Sequence, residues 1–290
     1  MKKLMLALGI LLFSANVSFA DCLTFQCPAN PELSNGFARA LSNATGTNFI
    51  AEKAAQSIIK SQIKKEAKGS FNVKVDSFSL PDLKAGRFKG IEITGKDIVA
   101  DDVYLSYLKL KTLCDYNYIV VDAKNNTATF KEDFGMAFAA SLTENDLNNT
   151  MKAAGYNALI DELNSVGGSF NLFKITTSHV KIRDNKFMYV VQVAFPFVST
   201  KKDVVLTADI NVHNGKIIFS HTKLINNYFA MDLSNAAYAI NYLNPLNFTL
   251  KILENKDADM QVNEAVIKDN KINVDGTILV LKDVVTKTKE

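Results

Sequence analysis

Few side chains in this 290-residue chain are of the kinds that do covalent chemistry, and their spacing does not gather them. There are three histidines, His179, His213 and His221, and three cysteines, Cys22, Cys27 and Cys114. A zinc site draws Cys and His ligands from closely spaced pairs. Here no histidine has a His or Cys partner at such spacing, and even His179 is far along the chain from every cysteine. An acyl-transfer serine would sit in G-x-S-x-G, and phosphate would be cradled by a P-loop or by G-x-G-x-x-G; none of these occurs. The acidic pairs Asp101-Asp102 and Asp257/Asp259 lie in turn-like contexts, where carboxylates cap backbone and face water. Asp115 beside Cys114 adds no constellation, and His213 precedes the turn signal Asn214-Gly215. The expectation is a non-enzymatic protein without metal or cofactor. A hydrolase would need a histidine or carboxylate with a strongly shifted pKa in a cleft.

The three cysteines carry a different chemistry, because the chain opens like an exported one. Met1-Lys2-Lys3 is a basic head, Leu4 to Phe13 an apolar run, and Ser18-Phe19-Ala20 puts small residues at the −3 and −1 positions of a cleavage site. Residues 1–20 read as a secretory signal peptide cut before Asp21, too short to span a bilayer. Asp21 directly before Cys22 is wrong for lipoprotein processing. Disulfides form in exported compartments. Cys22 and Cys27 enclose a short loop and are the simplest pair, with Cys114 left over in a strand. The alternative is Cys114 tying the N-terminal segment to the sheet, and spacing does not choose between them. Without Lys2 and Lys3 the formal charge falls from +3 to +1. A near-neutral chain of mixed charge is not built to neutralise nucleic acid.

The elements follow from periodicity. Residues 32–68 read as helix: Ile50, Ala54 and Ile58 form one stripe, and Ala51, Ala55, Ile59 and Ile63 run beside it. Lys60, Lys64, Lys65 and Lys68 suit the C-terminal end of its dipole, and Gly69 is its expected stop. Strands then follow at Phe71–Val75, Ile91–Thr94, Val103–Leu110, Ile119–Val121 and Thr127–Phe130. Thr143 is placed to cap a second helix running to about Ser165, weak at Gly155 and ended by Gly167-Gly168. Beyond Ser169 hairpins dominate. His179–Phe187 and Glu264–Ile272 repeat one pattern, with a looser copy at Ile210–Ile218, each reaching an Asn- or Asp-containing turn. A third helical stretch, about Ser234 to Tyr242, stops before Pro245.

Two features of the strands ask for a reason. Tyr189 to Val198 and Thr277 to Leu281 are apolar at nearly every position, which means that both faces are covered. The cover is either core on both sides or core on one and an apolar cavity on the other. The stretch Phe78–Lys111 reads as regular β-structure with no chemistry in it at all.

That stretch carries the resemblance. Leu80, Leu83, Gly86, Phe88, Ile91 and Ile93 stand in the order L-x-x-L-x-x-G-x-F-x-x-I-x-I, and Leu142-Thr143-Glu144-Asn145-Asp146-Leu147-Asn148 follows as a helix start. Over roughly residues 50–282 the chain resembles the LmeA family of phospholipid-binding proteins. The segment with Cys22 and Cys27 and the stretch around 225–260 depart from that pattern. The resemblance implies a tubular lipid-binding-like α+β fold, a long N-terminal helix packed in a highly curved antiparallel β-sheet, with Gly86 and Gly90 permitting the bends. It implies a phospholipid or similar lipid as partner, held in an apolar groove. The candidate wall residues are Leu108, Leu110, Val190, Val193, Phe195, Phe197, Ile278 and Val280. Residues 21–290 would form one exported domain of the bacterial periplasm or cell envelope, touching membranes transiently and binding no nucleic acid. The rival reading is an envelope interaction protein that takes up a protein partner at a sheet edge or groove.

Overall fold

Four times the chain reverses through two residues at positive φ: Asp101-Asp102, Asp184-Asn185, Asn214-Gly215 and Asp269-Asn270. Asp, Asn and Gly tolerate this conformation, and two-residue turns of this kind match the twist of the strands they join. The closing pairs are Ala100 with Val103, Arg183 with Lys186, His213 with Lys216 and Lys268 with Lys271. The three repeats read from the sequence are the last three of these hairpins.

The computed structural model describes residues 25–28, 31–122, 127–168, 174–194, 199–225, 240–254 and 258–282. Residues 1–20, Cys22, Phe195, Phe197 and most of the expected third helix lie outside them. The strands of the first sheet are β1 (Lys68–Asp76), β3 (Gly90–Ala100), β4 (Val103–Thr112), β7 (Phe134–Thr143), β12 (Ala258–Lys268) and β13 (Lys271–Val280). They run in the order β1-β3-β4-β7-β13-β12. A second sheet has the order β11-β10-β9-β8, from β8 (Lys174–Arg183), β9 (Lys186–Ala194), β10 (Lys202–His213) and β11 (Lys216–Leu224). A small third sheet joins β2 (Arg87–Phe88), β5 (Asn117–Asp122) and β6 (Thr127–Phe130). Every pairing is antiparallel. The two larger sheets meet where the Val262 N–H donates to the Gly215 carbonyl (2.8 Å). The fold is α+β with antiparallel sheets, as the sequence implies.

The helices are α1 (Gly36–Ala44), α2 (Thr47–Glu66), α3 (Leu80–Lys84), α4 (Glu144–Thr150), α5 (Ala154–Gly168) and α6 (Pro245–Leu250). The single helix expected over 32–68 is two, because Gly46 at φ +70 breaks it. Gly69 is not its stop: α2 ends at Glu66, and Gly69 lies inside β1, where Lys68 already pairs with Val99. The start of the Phe78–Lys111 stretch is also not β-structure. Ser79 accepts from the Asp82 N–H and Pro81 opens the first turn, so α3 forms there. Thr143 caps α4 in a full capping box with Asp146. The second helix breaks at 151–153 rather than at Gly155.

Cys27 is bonded to Cys114, across 87 residues. This corrects the simplest pairing, Cys22 with Cys27, in favour of the tie to the sheet. The reason is local packing. The Phe25 ring lies over Gly135, where a Cβ would come within 2.9 Å of it, and this lays the segment along the end of β4 and β7. Ser34 adds a second tie. Its N–H donates to Asp82 Oδ1 (2.7 Å) and its hydroxyl to Oδ2 (2.9 Å).

Candidate functional site

The six-stranded sheet has one wet face and one dry one. Outward, Glu92 sits between Lys109 (3.2 Å) and Lys74 (3.6 Å). Inward, the register lines apolar side chains up in rows. Phe71, Gly95, Leu108, Ala140, Val274 and Ala265 form one row across all six strands. Val73, Ile93, Leu110, Phe138, Gly276 and Val262 form the next. Two more rows place Met136 beside Ile278 and Met260, and Phe134 beside Val280 and Ala258. Gly276 is glycine because the Phe138 ring lies across it. A Cβ there would be 2.6 Å from the ring and closer still to the Gln261 carbonyl.

The four-stranded sheet contributes Tyr189, Val191 and Val193 of β9, with Val204 and Leu206 of β10 and Ile217 and Phe219 of β11. These side chains and the rows of the first sheet belong to one continuous apolar cluster. Ala55, Ile59 and Ile63 of α2 pack against it from β1's side.

The structure therefore sorts the candidate wall. Leu110, Val193, Ile278 and Val280 lie in the cluster, and Leu108 is half-buried at its margin. Val190 is on the other face of β9. It is 6% exposed, beside Val191 at 7%, and stands outside the cluster. At Val190 and Val191, β9 is thus covered on both faces. Phe195 and Phe197 lie outside the described residues.

Polar groups within this interior are few and paired. The Tyr156 hydroxyl donates to the Leu243 carbonyl (2.6 Å), which leaves its oxygen to accept from Tyr189 (2.9 Å). Burial pushes both phenols above their usual range, well above it for Tyr156, so both stay neutral. Tyr156 also meets Phe248 edge-on. Among the described residues Asp82 is the one buried carboxylate. Burial alone would raise its pKa, but hydrogen bonds from Ser79 and Ser34 and the nearby Arg39 cation together hold it below the usual carboxylate range. Asp82 and its partners join α3 to the N-terminal segment and carry no reactive partner.

The residues once weighed for chemistry stand apart. Asp101 and Asp102 are turn residues at positive φ. His221 faces Asp209 (3.2 Å) on the exposed surface. Among the described residues no three His, Cys, Asp or Glu side chains come together as metal ligands.

Sequence reasoning missed how the second sheet is closed. Asn148 of α4 donates to the Val180 carbonyl (3.0 Å) and accepts from its N–H (2.8 Å). Asn164 of α5 does the same for Ile175 (3.0 and 2.7 Å), and Glu144 accepts from the Ile182 N–H (2.9 Å). On the opposite edge Asn241 pairs with both backbone groups of Phe219, and Asn244 and Asn247 hold Ile217. Side-chain amides take the place of a neighbouring strand on β8 and on β11. The recurrence of asparagine at 241, 244 and 247 is the signal that was there to read.

Among the described residues the interior between the two large sheets is lined by apolar side chains. The chain belongs to the LmeA-like phospholipid-binding family, which it matches over residues 46–277. No curated protein and no solved structure matches it.

Proposed function

We propose that this protein is exported as a single domain over residues 21–290 and holds a phospholipid or similar lipid, for transport or for maintenance of the cell envelope. The observation that supports this reading best is the continuous apolar cluster shared by both large sheets, in a chain of a phospholipid-binding family. Each acyl CH₂ removed from water contributes about 0.8 kcal/mol, so no covalent chemistry is needed to hold one. Leu108, Leu110, Val193, Ile278 and Val280 are the side chains proposed to line the acyl chains. Val190, on the opposite face, is left out of the proposed lining.

The rival, a protein partner added as a strand at a sheet edge, has less to recommend it. Strand addition needs free N–H and C=O groups. On β8 and β11 such groups at Ile175, Val180, Ile217 and Phe219 are bonded to asparagines. The test is native mass spectrometry with lipid extraction on residues 21–290 purified without detergent. A stoichiometric lipid is expected. A mass that stays lipid-free after incubation with phospholipid vesicles would overturn the reading.

A further inference from the structure

Ten large apolar side chains are exposed among the described residues, and five of them lie on α1 and α2. They are Phe37 (76% exposed), Leu41 (54%), Phe49 (63%), Ile50 (67%) and Ile58 (61%). On α1, Phe37 and Leu41 are four residues apart and turned away from Ser42, which is buried. On α2, Ile50, Ala54 and Ile58 are also spaced by four, on the side away from Ala55, Ile59 and Ile63. Of the two stripes on this helix, then, one meets the core and the other meets solvent. Not one of the 20 residues of α2 is buried.

The same segment holds the charge of the molecule. Residues 36–66 carry Arg39, Lys53, Lys60, Lys64 and Lys65 against Glu52 and Glu66, a net +3. The whole chain is +3 and residues 21–290, without Lys2 and Lys3, are +1, so the rest of that part sums to −2. Glu52 is turned inward, accepting from the Ser77 N–H (2.8 Å). Arg39 lies toward Asp82, and the lysines accompany the apolar stripe, with the Lys53 ammonium over the Phe49 ring (5.4 Å). Aromatic and aliphatic side chains facing out among lysines are the composition of a helix that lies in a membrane interface. The lysines would pair with phosphate headgroups while the apolar side chains enter the acyl boundary.

We propose that α1 and α2 form a membrane-docking element that lays its outward face on an anionic phospholipid surface. The element names the surface at which a lipid-holding protein would load and unload, and in that respect it rests on the function proposed above. The inner side of α2 packs on the apolar cluster. Docking therefore brings the bilayer against a helix whose inner side packs on that interior.

The experiment is flotation of residues 21–290 with vesicles of phosphatidylglycerol and phosphatidylcholine, and with phosphatidylcholine alone. Binding to the anionic vesicles, weakened by salt, is expected. The variant Phe37→Ser/Ile50→Ser/Ile58→Ser alters exposed side chains only, and its binding is expected to fall by roughly tenfold or more. Lys53→Gln/Lys64→Gln/Lys65→Gln is expected to lose roughly a hundredfold on anionic vesicles. Circular dichroism and melting temperature unchanged from the wild type show that both variants fold. Absence of wild-type binding, or variants that bind as the wild type does, would overturn the proposal. So would an effect of the variants on self-association alone, which would mark the face as a contact between two copies. Native mass spectrometry of the same variants separates docking from cargo. Bound lipid without vesicle binding sinks the docking element alone, and vesicle binding by a lipid-free protein sinks the cargo reading alone.

Discussion

The helices on the four-stranded sheet and the helix beside β1 are held in opposite ways. Leu147 of α4, Tyr156 of α5 and Leu246 and Leu250 of α6 are fully buried. Their neighbours Asn148, Asn164 and Asn247 bond to strand backbone. Such helices are locked both by packing and by groups that would be costly to leave unpaired. By contrast α2 is longer than any of them, buries no residue, and is fixed at its N-terminal half by Asn48 and Glu52 on Ser77. Its C-terminal half leans on Ile59 and Ile63, with Ala67 just beyond it. Elements with few buried contacts open locally at lower free energy than the global transition. One part of the molecule is locked by buried side chains, and the other carries a helix with none.

The largest way to break this contrast is at the disulfide, since Cys27–Cys114 fastens the N-terminal segment on the α2 side. A loop of this length gives about 4 kcal/mol in the chain-entropy account, so Cys27→Ala/Cys114→Ala is expected to lose on that order in urea unfolding. A loss below about 1 kcal/mol would mean that Phe25, Ser34 and Asp82 suffice. Next come Leu147→Ala and Leu250→Ala, each expected to cost about 2–5 kcal/mol. Asn148→Ala should cost about 1–3 kcal/mol, because Val180 keeps a backbone donor and acceptor with no partner. Amide exchange at Val180 reads this directly, and an unchanged rate would show that another group closes the edge.

Acid sharpens the comparison from the other side. Asp82 holds Ser34, and its carboxyl is kept below the usual range by the hydrogen bonds it accepts. A group depressed in the folded state contributes stability in full above its unfolded pKa, about 3.9, and loses it as pH falls through the folded value. Melting temperature measured from pH 7 down to pH 3 should fall less steeply for Asp82→Asn than for the wild type. Equal slopes would remove Asp82 from the acid limb.

Much of this was legible beforehand, for identifiable reasons. The hairpins were readable because Asp, Asn and Gly at two-residue turns report backbone conformation directly. The cap at Thr143 was readable because a hydroxyl followed by Asp146 satisfies local donors. Both signals are short-range. The break at Gly46 and the helix at Leu80–Lys84 were not read, since apolar spacing continues across the first and a charged, glycine-containing run hid the second. The wall residues could be nominated but not sorted, because alternation says that two faces differ and not what covers each. Val190 shows this: it is as apolar as Val193 and points the other way. The asparagine edge on β8 was invisible because Asn148 and Val180 meet only in the folded chain, whereas on β11 the recurrence of Asn241, Asn244 and Asn247 was a legible sign.

The smallest effect is the most discriminating, because it sets two adjacent residues of the same kind against each other. Ile58 and Ile59 are chemically identical and one helix step apart, about 100° around α2. Ile59 packs on the apolar cluster, while Ile58 is 61% exposed. Ile59→Ala removes half-buried methyl groups and should cost about 1 kcal/mol in urea unfolding. Ile58→Ala touches solvent and should stay within about 0.5 kcal/mol of the wild type. If the two cost the same, Ile58 is covered in solution and α2 is seated more deeply than described. Unequal stability with vesicle binding weakened by Ile58→Ala alone would separate the two stripes. One would then serve the fold and the other the membrane, on a helix whose periodicity looks like a single buried face.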